Sequence, residues 1–250
     1  MGLAGQTAIV TGAGKGFGRA IAARLARDGA RLVTADLDAA GAEETAARIR
    51  RDGGEAAACR VDVASAASVE AMAARAREQG GGRIDILVNN AGIWTSTPTE
   101  STSEAEWDRV LGVNLKGVFL CCRAVIPVMK AQGRGHIVNI ASIAARNGGT
   151  FSGIPYVASK GGVVAITKKL AKELGPFGIV VNGVNPGHSD TGIMAGLDLA
   201  ELTETLVRNT PLGRAAVPDD IADAVAFLAS DAARFVHGET LEVNGGLLCD

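Results

Sequence analysis

The chain has 250 residues, is 47% hydrophobic and 21% charged, and carries a formal net charge of −2. That length and balance suit one α/β domain with a sizeable core. No Lys/Arg run stands out, so nucleic acid and an anionic membrane are not expected partners.

No uninterrupted apolar stretch approaches the ~18 residues of a spanning helix. The first strand starts within a few residues of the N-terminus, leaving no room for a leader. Cys59, Cys121, Cys122 and Cys249 lack C-x-x-C spacing. They read as reduced, buried thiols in a cytoplasmic protein.

Thr7–Val10 is a short apolar run, consistent with a buried parallel strand. Thr11 to Gly18 follows as a glycine turn, with Gly12, Gly14, Gly16 and Gly18, and then a helical pattern from Arg19 to Asp28. Strand, glycine turn and helix together suit a phosphate site, because the backbone can approach a pyrophosphate at a helix N-terminus. The same glycines also serve a plain tight turn.

Arg31–Ala35 is the second strand, ending at Asp36, 18 residues past Gly18. That is near the distance expected of an acid that binds the adenosine ribose hydroxyls. Asp36 also suits an N-cap for the helix beginning around Asp38. A carboxylate here accepts from a ribose diol and repels a 2′-phosphate, which favours NAD. Lys15 argues the other way: it either meets a 2′-phosphate, leaving NADP open, or pairs with Asp36.

Ala56–Val61 is a third strand, and Asp62 and Val63 stand at its carboxyl end. Asp62 faces the adenine or anchors the turn into a helix near Ser65. Ile84–Val88 is a fourth strand, running into Asn89-Asn90-Ala91-Gly92, which suits a turn held by side-chain hydrogen bonds. Ser103 to Lys130 reads as one long helix containing Asn114, whose buried amide must find partners or cost stability.

His136–Ile140 is a fifth strand, leading to Ser142. Tyr156 and Lys160, four apart, share one face of the next helix. A lysine ammonium there favours the tyrosinate. Free tyrosine titrates near ~10, so work near neutrality needs roughly 4 kcal/mol from such neighbours. Ile179–Val184 is a sixth strand before Asn185-Pro186-Gly187, and helices are expected at Leu199–Arg208 and Asp219–Ala229. Thr240–Val243 closes the chain as a last strand before Asn244-Gly245-Gly246. Alternating strands and helices, with no repeat or linker, predict a single Rossmann-like doubly wound parallel sheet of about seven strands with helices on both faces.

The residues resemble the short-chain dehydrogenase/reductase family in its common form of about this length. The glycine motif, Asp62, Asn89 to Gly92, Asn114, Ser142, Tyr156/Lys160, Asn185-Pro186-Gly187 and the terminal Gly-Gly follow the family's order nearly end to end. The resemblance implies an oxidoreductase passing hydride between a nicotinamide cofactor and a secondary alcohol or ketone. It implies that Tyr156 is the general acid/base, that Lys160 lowers its pKa and binds ribose, and that both residues border the cofactor. Ser142 steadies the substrate oxygen, and Asn114 supports a water linking Lys160 to solvent.

Gly12, Gly16, Phe17 and Gly18 would bracket the pyrophosphate. Asp36 would take the ribose, and Asp62 and Val63 the adenine. Asn90, Ala91 and Gly92 would lie along the cofactor. Pro186, Gly187, Ser189 and Thr191 would line its nicotinamide end. No metal is implied.

The Ser142-to-Tyr156 interval is one residue longer than the family's commonest spacing and carries Gly148-Gly149. Asn244 stands where many relatives carry Asp, a change expected to touch a turn or interface. By family geometry, Trp94, Asn147, Phe151, His188 and Met194 wall the substrate, and residues 187–210 form a lid. His188 is a polar lining residue, a plain surface histidine or a second acid/base.

The polar wall points to a sugar or polyol; Met194 and Phe151 suit a small cyclic or aliphatic alcohol equally. Two alternatives stand beside this one. They are an NADPH-dependent 3-oxoacyl thioester reductase, opposed by Asp36, and a non-catalytic dinucleotide-binding regulator, opposed by the intact Ser142/Tyr156/Lys160 set. A homotetramer is implied, with helices 103–130 and 154–174 pairing across one interface and the C-terminal strand near another.

Overall fold

A computed structural model describes residues 2–189 and 207–249. Seven parallel strands form one sheet: β1 (Thr7–Thr11), β2 (Arg31–Asp36), β3 (Ala56–Arg60), β4 (Ile86–Asn89), β5 (Gly135–Ile140), β6 (Ile179–Pro186) and β7 (Thr240–Val243). Their order is β3-β2-β1-β4-β5-β6-β7. The direction of winding reverses between β1 and β4, so a crevice opens beyond their carboxyl ends, where such sheets bind ligands.

The strand sequences explain the layering. β1, β4 and β5 are buried along their whole length, as apolar runs covered on both faces must be. Alternate side chains go to opposite faces. Ile9, Val33, Leu87, Ile137 and Val181 enter one core with α3 (Ala66–Gln79), α5 (Gly117–Gln132) and α7 (Ile154–Leu174). Val10, Leu32, Val88, Val138 and Val184 enter the other with α1 (Gly16–Arg27) and α8 (Pro218–Leu228). α2 (Ala39–Arg51) joins this second face through Ile49. At one edge of the sheet β3 is only half-buried.

Several boundaries differ from the sequence reading. β4 begins at Ile86, although the Asp85 backbone still follows the ladder, its N–H donating to the Thr7 carbonyl (2.9 Å) and its carbonyl accepting from His136 N–H (2.8 Å). Ile84 N–H donates to Gln132 Oε1 (2.9 Å), and Asp85 Oδ2 accepts from Thr7 N–H (3.0 Å). β6 runs on to Pro186, because β7 pairs as far as Val243. α1 starts at Gly16, three residues before the expected Arg19.

The expected single helix from Ser103 is three pieces: α4 (Glu104–Leu111), a π-helical turn at Gly112–Lys116, and α5. Ser103 does cap it, accepting from Glu106 N–H at 3.1 Å. The composite stretch 104–132 is long and apolar enough to cross a membrane by length and composition alone, and 44% of its most apolar window is buried within the fold.

The thiol reading holds for Cys121 and Cys122, which are buried; Cys59 is partly accessible and Cys249 exposed. The expected helix at Leu199–Arg208 and most of the expected lid lie outside the described residues.

Candidate active site

The glycine turn is built by close approach. A Cβ on Gly18 would lie 2.0 Å from the Gly12 carbonyl oxygen, so only glycine lets α1 start against β1. The Asn89–Gly92 turn locks onto the same place. Thr11 Oγ1 accepts from Asn90 N–H (3.0 Å) and Ala91 N–H (3.1 Å). The Asn90 amide donates to the carbonyls of Thr11 (2.9 Å) and Gly12 (3.1 Å). Asn89 points into the sheet and donates to Asn139 Oδ1 at 2.8 Å.

Asp36 is aimed by two backbone donors, Gly14 N–H at 2.8 Å and Asp38 N–H at 2.9 Å. It does not cap α2; Asp38 does, accepting from Ala40 N–H at 3.1 Å. No ion pair joins Asp36 to Lys15 among the described residues, so the pairing considered for Lys15 is not formed. Asp62 serves the turn, accepting from Ala64 N–H at 2.9 Å, while also facing the crevice.

These groups line a cavity of 710 Å³ that includes Gly12, Lys15, Gly16, Phe17, Asp36, Asp62, Val63 and Asn90 to Gly92. The size, the glycine cradle at a helix N-terminus and the aimed carboxylate fit a dinucleotide. Leu37, Ile93, Arg109 and Val113 also line it and were missed. Adjacency of Leu37 to Asp36, and of Val113 to Asn114, was the available signal. Nothing local marked Arg109.

A second cavity of 170 Å³ meets the first at Phe17, Asn90, Gly92 and Trp94. It is lined by Ser142, Tyr156, Lys160, Asn147, Phe151, Pro186, Gly187, His188 and Ser189, with Ile143, Gly149 and Leu247 unanticipated. Ser189, expected on the cofactor, faces this substrate-side cavity. Asn147 and Phe151 stand exposed at its margin. Thr191 and Met194 lie outside the described residues.

Asn114 is 1% exposed and fully satisfied. Its amide accepts from Ile93 N–H (2.8 Å) and donates to Ile93 C=O (2.9 Å) and Ser159 Oγ (3.1 Å). It thereby ties the loop after β4 to α7 at Ser159, one residue before Lys160. The π turn places it there. A Cβ on Gly92 would lie 3.4 Å from Asn114 Oδ1 and 3.7 Å from Lys160 Nζ, so the three groups are neighbours.

Lys160 Nζ donates to the Ile140 carbonyl at 2.7 Å, and burial pushes the ammonium down to about 8. It stands 5.7 Å from the centre of the Tyr156 ring. The expected lowering of the phenol is not met by the chain's own groups. Part of the ring is accessible, yet desolvation of the hydroxyl raises its pKa, and the Ser142 hydrogen bond opposes that only in part.

Asn244 holds a turn, donating to Glu242 Oε2 (3.1 Å) and accepting from Gly246 N–H (3.0 Å). His188 is fixed through its backbone, its carbonyl accepting from Ala216 N–H at 2.9 Å. Among the described residues no cluster of three His, Cys, Asp or Glu is placed to hold a metal ion.

A dinucleotide crevice that runs into a small cavity holding a serine, a tyrosine and a buried lysine defines a nicotinamide-dependent oxidoreductase. A family model described as enoyl-(acyl carrier protein) reductase matches residues 12–248. D-threitol dehydrogenase of Mycolicibacterium smegmatis is 45% identical over 98% of this chain and 93% of its own. A 3-oxoacyl-[acyl-carrier-protein] reductase of Staphylococcus aureus is 40% identical over 97% of this chain and 98% of its own.

The crystal structure of a putative NAD(P)-dependent gluconate 5-dehydrogenase from Beutenbergia cavernae, with bound NADP, superposes at a TM-score of 0.93. It is 40% identical and covers 100% of this chain and 99% of that one. The chain belongs to the short-chain dehydrogenase/reductase family, NAD(P)-dependent enzymes acting on CH–OH groups.

Proposed function

We propose that the protein is an NAD-dependent dehydrogenase of small polyols and related secondary alcohols. The observation that carries this reading is the small, partly polar cavity opening directly onto Ser142, Tyr156 and Lys160. NAD(H), when bound, supplies the acceptor or donor of hydride. Tyr156 Oη takes the hydroxyl proton of the alcohol and returns it to the ketone in reverse. Ser142 donates to the substrate oxygen as charge grows on it. Lys160 holds ribose hydroxyls and, as a cation, favours the tyrosinate. Asn114 keeps α7 in register with the loop after β4, and a water held near it would link Lys160 to solvent.

Asp36 supports NAD over NADP. Its oxygens are held toward the crevice by two N–H donors, so a 2′-phosphate would meet an aimed anion. Asp36→Ala is expected to leave NAD usable while raising kcat/KM with NADP by about tenfold or more, the scale of one removed repulsion. Initial rates with both cofactors check this. NADP still excluded from the variant would remove Asp36 as the discriminating group.

The main rival is 3-oxoacyl thioester reduction, the activity named for the 40% identical relative. The same Asp36 and the small cavity oppose it. Parallel assays with threitol and NAD, and with a 3-oxoacyl thioester and NADPH, separate the two.

A homotetramer is part of the reading. Phe119 on α5, and Phe235 and Leu241 near the β7 edge, are exposed apolar groups on two separate faces. Burying them is what the two expected interfaces would do. Light scattering should give four times the chain mass of 25.4 kDa; a monomer would overturn this part.

A further inference from the structure

The longer interval between Ser142 and Tyr156 builds a strap that the catalytic chemistry does not use. After Ser142 the chain makes a single short turn of helix, α6 (Ala144–Asn147), and Gly148 closes it in the left-handed conformation (φ 81). Asn147 Oδ1 then accepts from Gly149 N–H at 2.9 Å. Gly149 is also left-handed (φ 67), and a Cβ there would sit 3.0 Å from Ser152 Cβ and 3.1 Å from Ser152 Oγ. The double glycine therefore lets Ser152 fold back over the turn.

Ser152 is not idle in that position. Its Oγ accepts from Trp94 Nε1–H at 3.0 Å. Gly153 N–H donates to the Thr95 carbonyl at 2.7 Å. Two bonds thus bridge the strap after β5 and the loop after β4. Trp94 and Ser152 both line the 170 Å³ substrate-side cavity, and Trp94 also borders the dinucleotide cavity. The indole therefore borders both cavities with its Nε1–H held by the strap.

We propose that the Trp94–Ser152 bond is a size-limiting latch and that this pair determines substrate specificity. It holds the cavity to short alcohols, below the ~300 Å³ at which drug-sized ligands are usually accommodated. It closes the side between the two loops against bulky or chain-extended ones. Small polar ligands keep their contacts to the strap; larger ones require the indole to swing away. The latch rests on the alcohol-dehydrogenase reading above.

The test measures kcat and KM for a four-carbon polyol (threitol) and a bulky secondary alcohol (1-phenylethanol), with NAD. Wild type is compared with Ser152→Ala, Trp94→Phe, their double variant and Gly149→Ala. Trp94→Phe keeps an aromatic ring and removes the donor. Each change is expected to move the ratio of kcat/KM values toward the bulky alcohol by about tenfold, the scale on which pocket size discriminates. The shift should come from a higher KM for threitol and a lower KM for 1-phenylethanol.

The double variant should move no further than either single change, since all remove the same bond. Gly149→Ala should follow them by displacing Ser152. A ratio unchanged in every variant, or both substrates losing rate in proportion, overturns the latch while leaving the enzyme class intact. Silence toward all alcohols in wild type and variants alike, with NADH still bound, overturns the latch and the alcohol reading together.

Discussion

Tyr156→Phe is expected to lower kcat by at least ~100-fold, the low end of what a positioned acid/base group contributes. The exchange removes one oxygen from the wall of the substrate cavity and leaves α7 otherwise unchanged. The Ser142 hydrogen bond to the phenol is lost with it. NADH affinity should stay within a factor of about 3, because the phenyl ring still fills its place beside Lys160. Stopped-flow turnover and NADH fluorescence titration read the two quantities. Retention of more than about a tenth of the wild-type kcat would remove Tyr156 as the proton-exchanging group.

Lys160→Met should cost a similar factor but by a different route. Burial already holds this ammonium at about 8, so it carries its charge through neutral pH and loses it in mildly alkaline solution. Desolvation raises the Tyr156 phenol, and a cation 5.7 Å from its ring centre favours the ionised form.

Removing that cation raises the phenol further. The base form then appears only at higher pH, so the rising limb of the pH profile for alcohol oxidation should move to the alkaline side. NADH affinity should fall as well, unlike in Tyr156→Phe, because the proposed ribose contacts disappear. Adding Tyr156→Phe to Lys160→Met should cost little more, since the two act on one proton. A pH limb in Lys160→Met that coincides with wild type would assign the lysine to ribose binding alone.

Much of this site was legible in the chain because its residues are local signals. The glycine turn, Asp36 and the Asn89–Gly92 turn each sit at a strand end, and strands announce themselves as short apolar runs. Tyr156 and Lys160 are neighbours by helical period alone. Errors fell where long-range partners decide. Ile84 matches a strand pattern, yet its N–H and carbonyl are both taken by the Gln132 side chain. Asp36 and Asp38 both suit an N-cap by residue type, but Asp36 ends β2 and accepts from Gly14 N–H, while α2 begins directly after Asp38, which caps it. A π turn has no composition of its own, so the break around Asn114 was not visible.

By itself the sequence determined the alternation of strands and helices, the glycine turn after the first strand, and the pairing of Tyr156 with Lys160. All of these follow from periodicities of two and 3.6 residues and from glycine's lack of a Cβ. Only the tertiary structure decided that Ser152 meets Trp94, that Arg109 and Leu37 reach the dinucleotide cavity, and that Lys160 is buried against the Ile140 carbonyl. Of these, the Trp94–Ser152 bond joins segments 58 residues apart. Their geometry is set by how elements pack on the sheet, and so is the desolvation that shifts Lys160 and Tyr156, because burial is a property of the assembled core and not of any local stretch.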